Sequence, residues 1–175
     1  AAGIYEQLAP RNVLRVARPI EIRDGQRRIR IEPGRGFRIS YEIDFEHPSI
    51  GRQALRDLDL SEATFEREIA RARTFGFVGE VDALWRAGRA RGACLDNTVV
   101  LDATRVLNRD GLRFPDEFVR HKVLDLLGDL ALLGVRLEGH VRVERGGHAL
   151  HQKLVGKLAG ECVARRVEQT LHATD

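Results

Sequence analysis

The segment FVRHKVLDLLGDLALLG, residues 118–134, limits what this chain can fold into more than any other. Val123, Leu124, Leu126, Leu127, Leu130 and Leu133 make a helix that must be covered, yet His121, Lys122, Asp125 and Asp129 interrupt it within nine positions. At about 100° per residue, His121, Asp125 and Asp129 fall within about 80° of one another, and Lys122 borders the same stripe. Burying ionisable groups costs several kcal/mol unless they are paired or bound to a metal. The helix therefore needs an apolar surface on one side and a chemical answer to its polar stripe on the other.

The rest of the chain supplies the surface. Alternating apolar and polar residues predict strands near 12–18, 27–31 and 37–44, with a hairpin around Asp24-Gly25. Ser61 is placed to cap a helix with Leu60, Phe65 and Ile69 on one side. FGFVGEVDALWRAGRARG reads as a short strand and a short helix ending at Gly88, and NTVVLD as a further strand, giving a βαβ insert at about 75–102. Pro115 marks the start of the apolar helix and Gly134 its end; VRLEGHVRVE is a strand, and a closing helix runs from His148 to about Thr170. The expected fold is α+β: a sheet with two main helices packed on one face, plus the small insert.

With 175 residues the chain fits one domain, or two very small ones, and its net charge of +3, spread over scattered arginines, weakly favours anionic partners, a small phosphate-bearing molecule or nucleic acid. No basic surface rich in aromatics stands out, which argues against nucleic acid. No apolar run approaches the ~20 residues of a membrane-spanning helix. Cys94 and Cys162 form no CxxC pair, so a reducing compartment such as the cytoplasm is expected. The chain has no methionine and opens on AAGIYEQLAP, so it is either processed or a piece of something longer.

Two patterns carry chemistry. His121 and Asp125 stand four apart and meet on consecutive turns, which suits two ligands of one zinc ion but also an ordinary surface pair. Asp129, one turn further, is placed to orient another side chain. His148 follows Gly146-Gly147 and opens the last helix, where the helix dipole disfavours its charged form unless a carboxylate such as Asp129 compensates. The plainer reading is a glycine turn followed by a solvent-facing histidine.

Taken together, RTFGFVGEVDAL, LDNTVVLD, VLNRDGLRFPDEFVRHKVLDLLGDLALLG and GGHALHQKL closely resemble the second domain of the UDP-3-O-acyl-N-acetylglucosamine deacetylases, the zinc hydrolases of bacterial lipid A synthesis. The resemblance runs from AGIYEQ to about Leu158. It implies a protein of two related domains with the active site between them, residues 1–8 being the tail of a link from the first domain and 9–175 the second. It implies His121 and Asp125 as zinc ligands, and His148 as the catalytic histidine with Asp129 holding its ring. Thr74 would lend a hydroxyl to the tetrahedral intermediate, and Lys122 would border the site. Phe75 would lie against the sugar, Phe45 on the uracil and Arg145 near the diphosphate, though both phenylalanines could be core and Arg145 one more solvated arginine. The insert would help line an apolar passage for the acyl chain. A third zinc ligand and a glutamate base are expected from the first domain, so this chain alone should be inactive; His47, in a strand-and-turn context, is no clear substitute. The alternative is a non-catalytic module that binds UDP-sugar or lipid precursor. The chain departs from the family pattern at Arg89 and Cys94, where Leu and Ser are expected, and at His151 and Gln152, where asparagines are expected.

Overall fold

The computed structural model describes residues 12–88 and 90–172. The expectations for residues 1–8, for Arg89 and for the Cys162 side chain lie outside what it describes. The main sheet combines β1 (Val13–Arg15), β2 (Ile20–Asp24), β3 (Arg27–Glu32), β4 (Phe37–Phe45), β5 (Gly51–Asp59) and β8 (Arg136–Glu144). Its order is β2-β3-β8-β4-β5, and β1 also pairs with β8. The central β8 runs antiparallel to β3 but parallel to β4 and β1. Between β5 and β8 lie a single turn, α1 (Glu62–Thr64), continuing as a π-helical segment Phe65–Ile69, then β6 (Thr74–Phe77), α2 (Val78–Arg86), β7 (Thr98–Leu101) and α3 (Glu117–Ala131). The chain closes with α4 (His148–His172).

The alternation of the strands puts Ile29 and Ile31, then Ile39, Tyr41 and Ile43, then Val141 and Val143 on one face, all buried. Register reinforces this, since Ile31 and Ile39 both sit opposite Val141, and Ile29 and Tyr41 opposite Val143. Phe118, Val119, Val123, Leu126 and Leu130 of α3 and Leu150, Leu154 and Leu158 of α4 close the same core. The two-helix, one-face α+β architecture is therefore as expected, and the parallel pair β6–β7 around α2 forms the insert.

Three details differ from the sequence reading. The strand expected at 12–18 shrinks to three residues, and the hairpin partner of β3 is a separate strand, β2, beyond Pro19. The strand β5 is additional. The helix after Ser61 is a capped turn, with Ser61 Oγ accepting from Thr64 N–H at 3.1 Å, that widens at once into the π segment. Leu60, Phe65 and Ile69 still pack on the core.

Candidate active site

α3 sets out the site. While its apolar side is in the core, His121, Lys122 and Asp125 line up half-buried beside the insert, and Asp129 is buried one turn further. His121 Nδ1 lies 3.4 Å from the carbonyl of Ala72, a long contact that favours a proton on that nitrogen. Its Nε2 faces Asp125 Oδ1 at 3.2 Å, an ion pair when the ring is doubly protonated and two facing acceptors when the only ring proton sits on Nδ1. Two acceptors at that distance repel unless a cation or a second proton lies between them. Lys122 Nζ donates to Asp125 Oδ2 at 2.8 Å, and His148 Nε2 stands 3.9 Å from the same oxygen. Burial by itself raises the Asp125 pKa, but His121 and Lys122 beside it outweigh that and hold the carboxyl well below the usual range. The donor set fits zinc: imidazole nitrogen and carboxylate oxygen at the zinc lengths of about 2.1 Å span a tetrahedral edge of about 3.4 Å.

A second group adjoins the first. Asp129 Oδ2 accepts from His148 Nδ1–H and from His151 Nδ1–H, both at 2.8 Å. His148 is largely exposed, whereas His151 is fully buried. With its Nδ1 proton on the carboxylate, neutral His151 can only accept at Nε2, and Tyr41 Oη donates to it at 3.0 Å. Burial pushes the His151 pKa down despite Asp129, and burial together with the Asp125 and Asp129 charges pushes the Tyr41 phenol far up. Ligand atoms of Asp129, His148 and His151 lie within 4.8 Å of one another, close enough to share a metal ion. Their hydrogen bonding argues against it, because both ring protons would have to leave one oxygen and Tyr41 already fills the far side of His151. The His121–Asp125 edge, with ring nitrogen and carboxylate oxygen 3.2 Å apart, has the more open geometry for a cation.

Phe75, on β6, brings the insert into the site. Its ring makes edge contacts with His121, Phe118 and Phe45 at centroid distances of 6.1, 5.1 and 5.6 Å, and Lys122 Nζ lies 5.6 Å from it. Thr74 stands exposed at the head of that strand, its backbone paired with Thr98. Phe45, Lys122 and Arg145 line one cavity of about 430 Å³ with Gln26, Asp44 and Gly146. The Arg145 guanidinium is engaged by Asp44 and Gln26, and its backbone adopts φ +51°. Phe45 and Phe75 both pack against the core, Phe45 also lines that cavity, and the Arg145 guanidinium is not freely solvated.

Sequence reasoning missed what fixes these parts. Glu117, fully buried, accepts from Arg73 N–H, Nε and an Nη at 2.9, 2.9 and 3.0 Å and from Arg113 N–H at 2.6 Å. This clamps the segment leading into Thr74 to the head of α3. Those hydrogen bonds outweigh burial and keep the Glu117 pKa below its ordinary value. His47 has both nitrogens occupied, Nε2 donating to the Asp102 carbonyl at 2.8 Å and Nδ1 accepting from Ser49 N–H at 3.1 Å, so it fastens the insert and is no spare ligand. The role of His151 had a signal: HALH places two rings three apart at a helix start, on one side. Tyr41 and the Glu117 clamp had none, since each depends on partners far along the chain.

No helix among the described residues is long and apolar enough to cross a membrane. The model for the UDP-3-O-acyl N-acetylglycosamine deacetylase family matches residues 1–160. Curated proteins named UDP-3-O-acyl-N-acetylglucosamine deacetylase are similar: that of Myxococcus xanthus is 48% identical over 92% of this chain and 51% of its own length. That of Nitratidesulfovibrio vulgaris is 54% identical over 90% of this chain and 50% of its own. The chain thus spans about half the length of the curated relatives it matches.

Proposed function

The chain belongs to the UDP-3-O-acyl N-acetylglycosamine deacetylase family, and from that premise we propose that it supplies half of a zinc-dependent site that removes the N-acetyl group of UDP-3-O-acyl-N-acetylglucosamine in lipid A synthesis. The observation that carries this reading is the convergence of His121 Nε2 and Asp125 Oδ1 at 3.2 Å, with His148 alongside. His121 and Asp125 would hold the zinc, and the remaining ligand and the general base would come from the first domain, in the same polypeptide or a separate chain. Zinc, when bound, polarises the amide carbonyl and activates water.

This chain's residues do the rest. His148, oriented through Nδ1 by Asp129, presents its Nε2 proton to the developing oxyanion and then to the departing amine. Thr74 adds a hydroxyl to the same oxyanion, and Lys122 places a positive charge beside it. Phe75 lies against the sugar, Phe45 stacks on the uracil, and Arg145 exchanges its contact with Asp44 for the diphosphate. The insert lines the passage for the acyl chain. A cytoplasmic setting follows from a nucleotide-sugar substrate.

The test is metal analysis and a deacetylation assay on the chain alone and on the full-length protein. The full-length protein should bind zinc and turn over, the chain alone should do neither well, and H148A or H121A should remove activity. Turnover undiminished in H148A would overturn the reading. One feature favours a second reading, a binding module without chemistry: the cavity at Phe45 and Arg145 is walled within this chain, whereas the metal pair offers two ligands only. UDP binding with neither zinc nor turnover in the full-length protein would decide for it.

A further inference from the structure

We infer that His151, held by Tyr41, is a positioning residue for Asp129, so that the catalytic pair His148–Asp129 works in this chain as a relay of four groups: Tyr41 Oη–H to His151 Nε2, His151 Nδ1–H to Asp129, and His148 Nδ1–H to the same carboxylate oxygen. The inference rests on the catalytic role proposed for His148 and extends it to two buried groups behind it.

Three observations carry it. The His148 ring is largely exposed, and its polar partners among the described residues are Asp129 at 2.8 Å and Asp125 at 3.9 Å. Its aim therefore depends on where the Asp129 carboxylate points. That carboxylate is fixed in turn by a ring with no freedom: His151 is fully buried, with one nitrogen on Asp129 at 2.8 Å and the other on Tyr41 Oη at 3.0 Å. For a neutral ring the proton pattern is set, because the carboxylate accepts from Nδ1–H and Tyr41 Oη is the partner at Nε2 among the described residues. Finally, Gly146 leaves room for this arrangement in the loop that carries His148. A Cβ there would lie 2.9 Å from Tyr41 Oη, 3.3 Å from His151 Nε2 and 2.2 Å from Val143 Cγ1.

The asparagine expected at 151 could donate one amide proton to Asp129, but it is shorter than imidazole and cannot span the distance to Tyr41 in the same way. Histidine brings Tyr41, an inner-face residue of β4, into the site's hydrogen bonding. The relay thereby anchors the chemistry to the sheet itself.

The experiment uses the zinc-loaded full-length enzyme and the variants H151L, H151N and Y41F, with H148A as control. Nitrogen-15 NMR of labelled histidines should show His151 as the Nδ1–H tautomer, with an Nε2 signal that moves in Y41F. H151L should lose about tenfold or more in kcat, with KM and zinc content unchanged, and H151N should recover part of that loss. A merely structural role would move KM and melting temperature and would gain nothing from asparagine. Unchanged kcat in H151L beside an inactive H148A overturns this inference alone, whereas an active H148A overturns the assignment of His148 and this inference with it. Should H151L fail to fold, unchanged kcat in both H151N and Y41F overturns the relay.

Discussion

One helix carries two acidic centres, one buried and one half-buried, that look alike in sequence and differ in kind. At the head of α3, Glu117 is closed: four donors from Arg73 and Arg113 fill its two oxygens. Two turns on, Asp125 is open: it faces His121 Nε2 at 3.2 Å, accepts one hydrogen bond from Lys122 and has the exposed His148 across from it. A carboxylate whose acceptors are all satisfied by the protein has nothing left to offer a ligand, and its removal leaves the buried Arg73 without its counter-charge. A carboxylate set against another acceptor costs stability unless something arrives from outside. The contrast separates a structural ion pair from the proposed binding site without reference to residue type.

The largest expected effects lie at the open centre. Asp125→Ala or His121→Ala in the full-length protein should abolish zinc retention and turnover together while folding survives, as read by metal content and circular dichroism. His148→Ala should lower kcat by about 10²–10⁴-fold and leave zinc in place. If either ligand variant kept its zinc, the open centre would be only another ion pair and the contrast would collapse.

At the closed centre the signature should invert. Glu117→Ala should lower stability by about 3–5 kcal/mol, the usual cost of breaking a buried pair from one side, measured by denaturant unfolding, with zinc binding retained by the molecules that remain folded. Because the folded protein holds the Glu117 pKa below its ordinary value, its contribution is complete above about pH 4.3 and is lost as the pH falls through the lower folded value. Glu117→Gln should therefore flatten part of the acid limb of the stability profile and leave the neutral region otherwise parallel to wild type.

How much of this could be read from the sequence follows from how local each feature is. The stripe on α3, the β2–β3 turn at Asp24-Gly25 and the histidine after Gly146-Gly147 are set by neighbours within a few residues, and they fell where expected. β5 was missed because its period breaks: Gln53 and Leu55 face inward, but Arg56 and Asp57 both face out before Leu58 returns. The cause is a bulge, with Asp57 at φ +51° and the register shifting between Ile39 and Tyr41. The helix after Ser61 was overread because its apolar spacing persists through a segment that widens to π geometry. In the site, the residues missed are those bound to it over long sequence distances, Tyr41 to His151 and Arg73 to Glu117, where no short window contains both partners.

A smaller effect sharpens the comparison at the cavity. Arg145 lies between the two cases, since Asp44 and Gln26 occupy its guanidinium at the surface, where a ligand can compete with them. Arg145→Ala should raise KM about tenfold, the value of one charge-assisted hydrogen bond of about 1.5 kcal/mol, with kcat nearly unchanged. A fall in kcat at constant KM would instead place Arg145 with the chemistry.

The smallest effect is expected where a pair is exposed and closed at once. Lys153 on α4 reaches Asp24 at the β2–β3 turn at 3.2 Å, and both side chains are about half exposed. By distance this contact resembles those of the site, and it joins α4 to the hairpin that borders the cavity. Water can replace either partner at little cost, so Lys153→Ala should change stability by less than about 1 kcal/mol and leave kcat and KM alone. An effect on KM larger than that of Arg145→Ala would mean that the hairpin's position is held by this contact, and that exposure is a poorer guide to function than the satisfaction of each carboxylate oxygen.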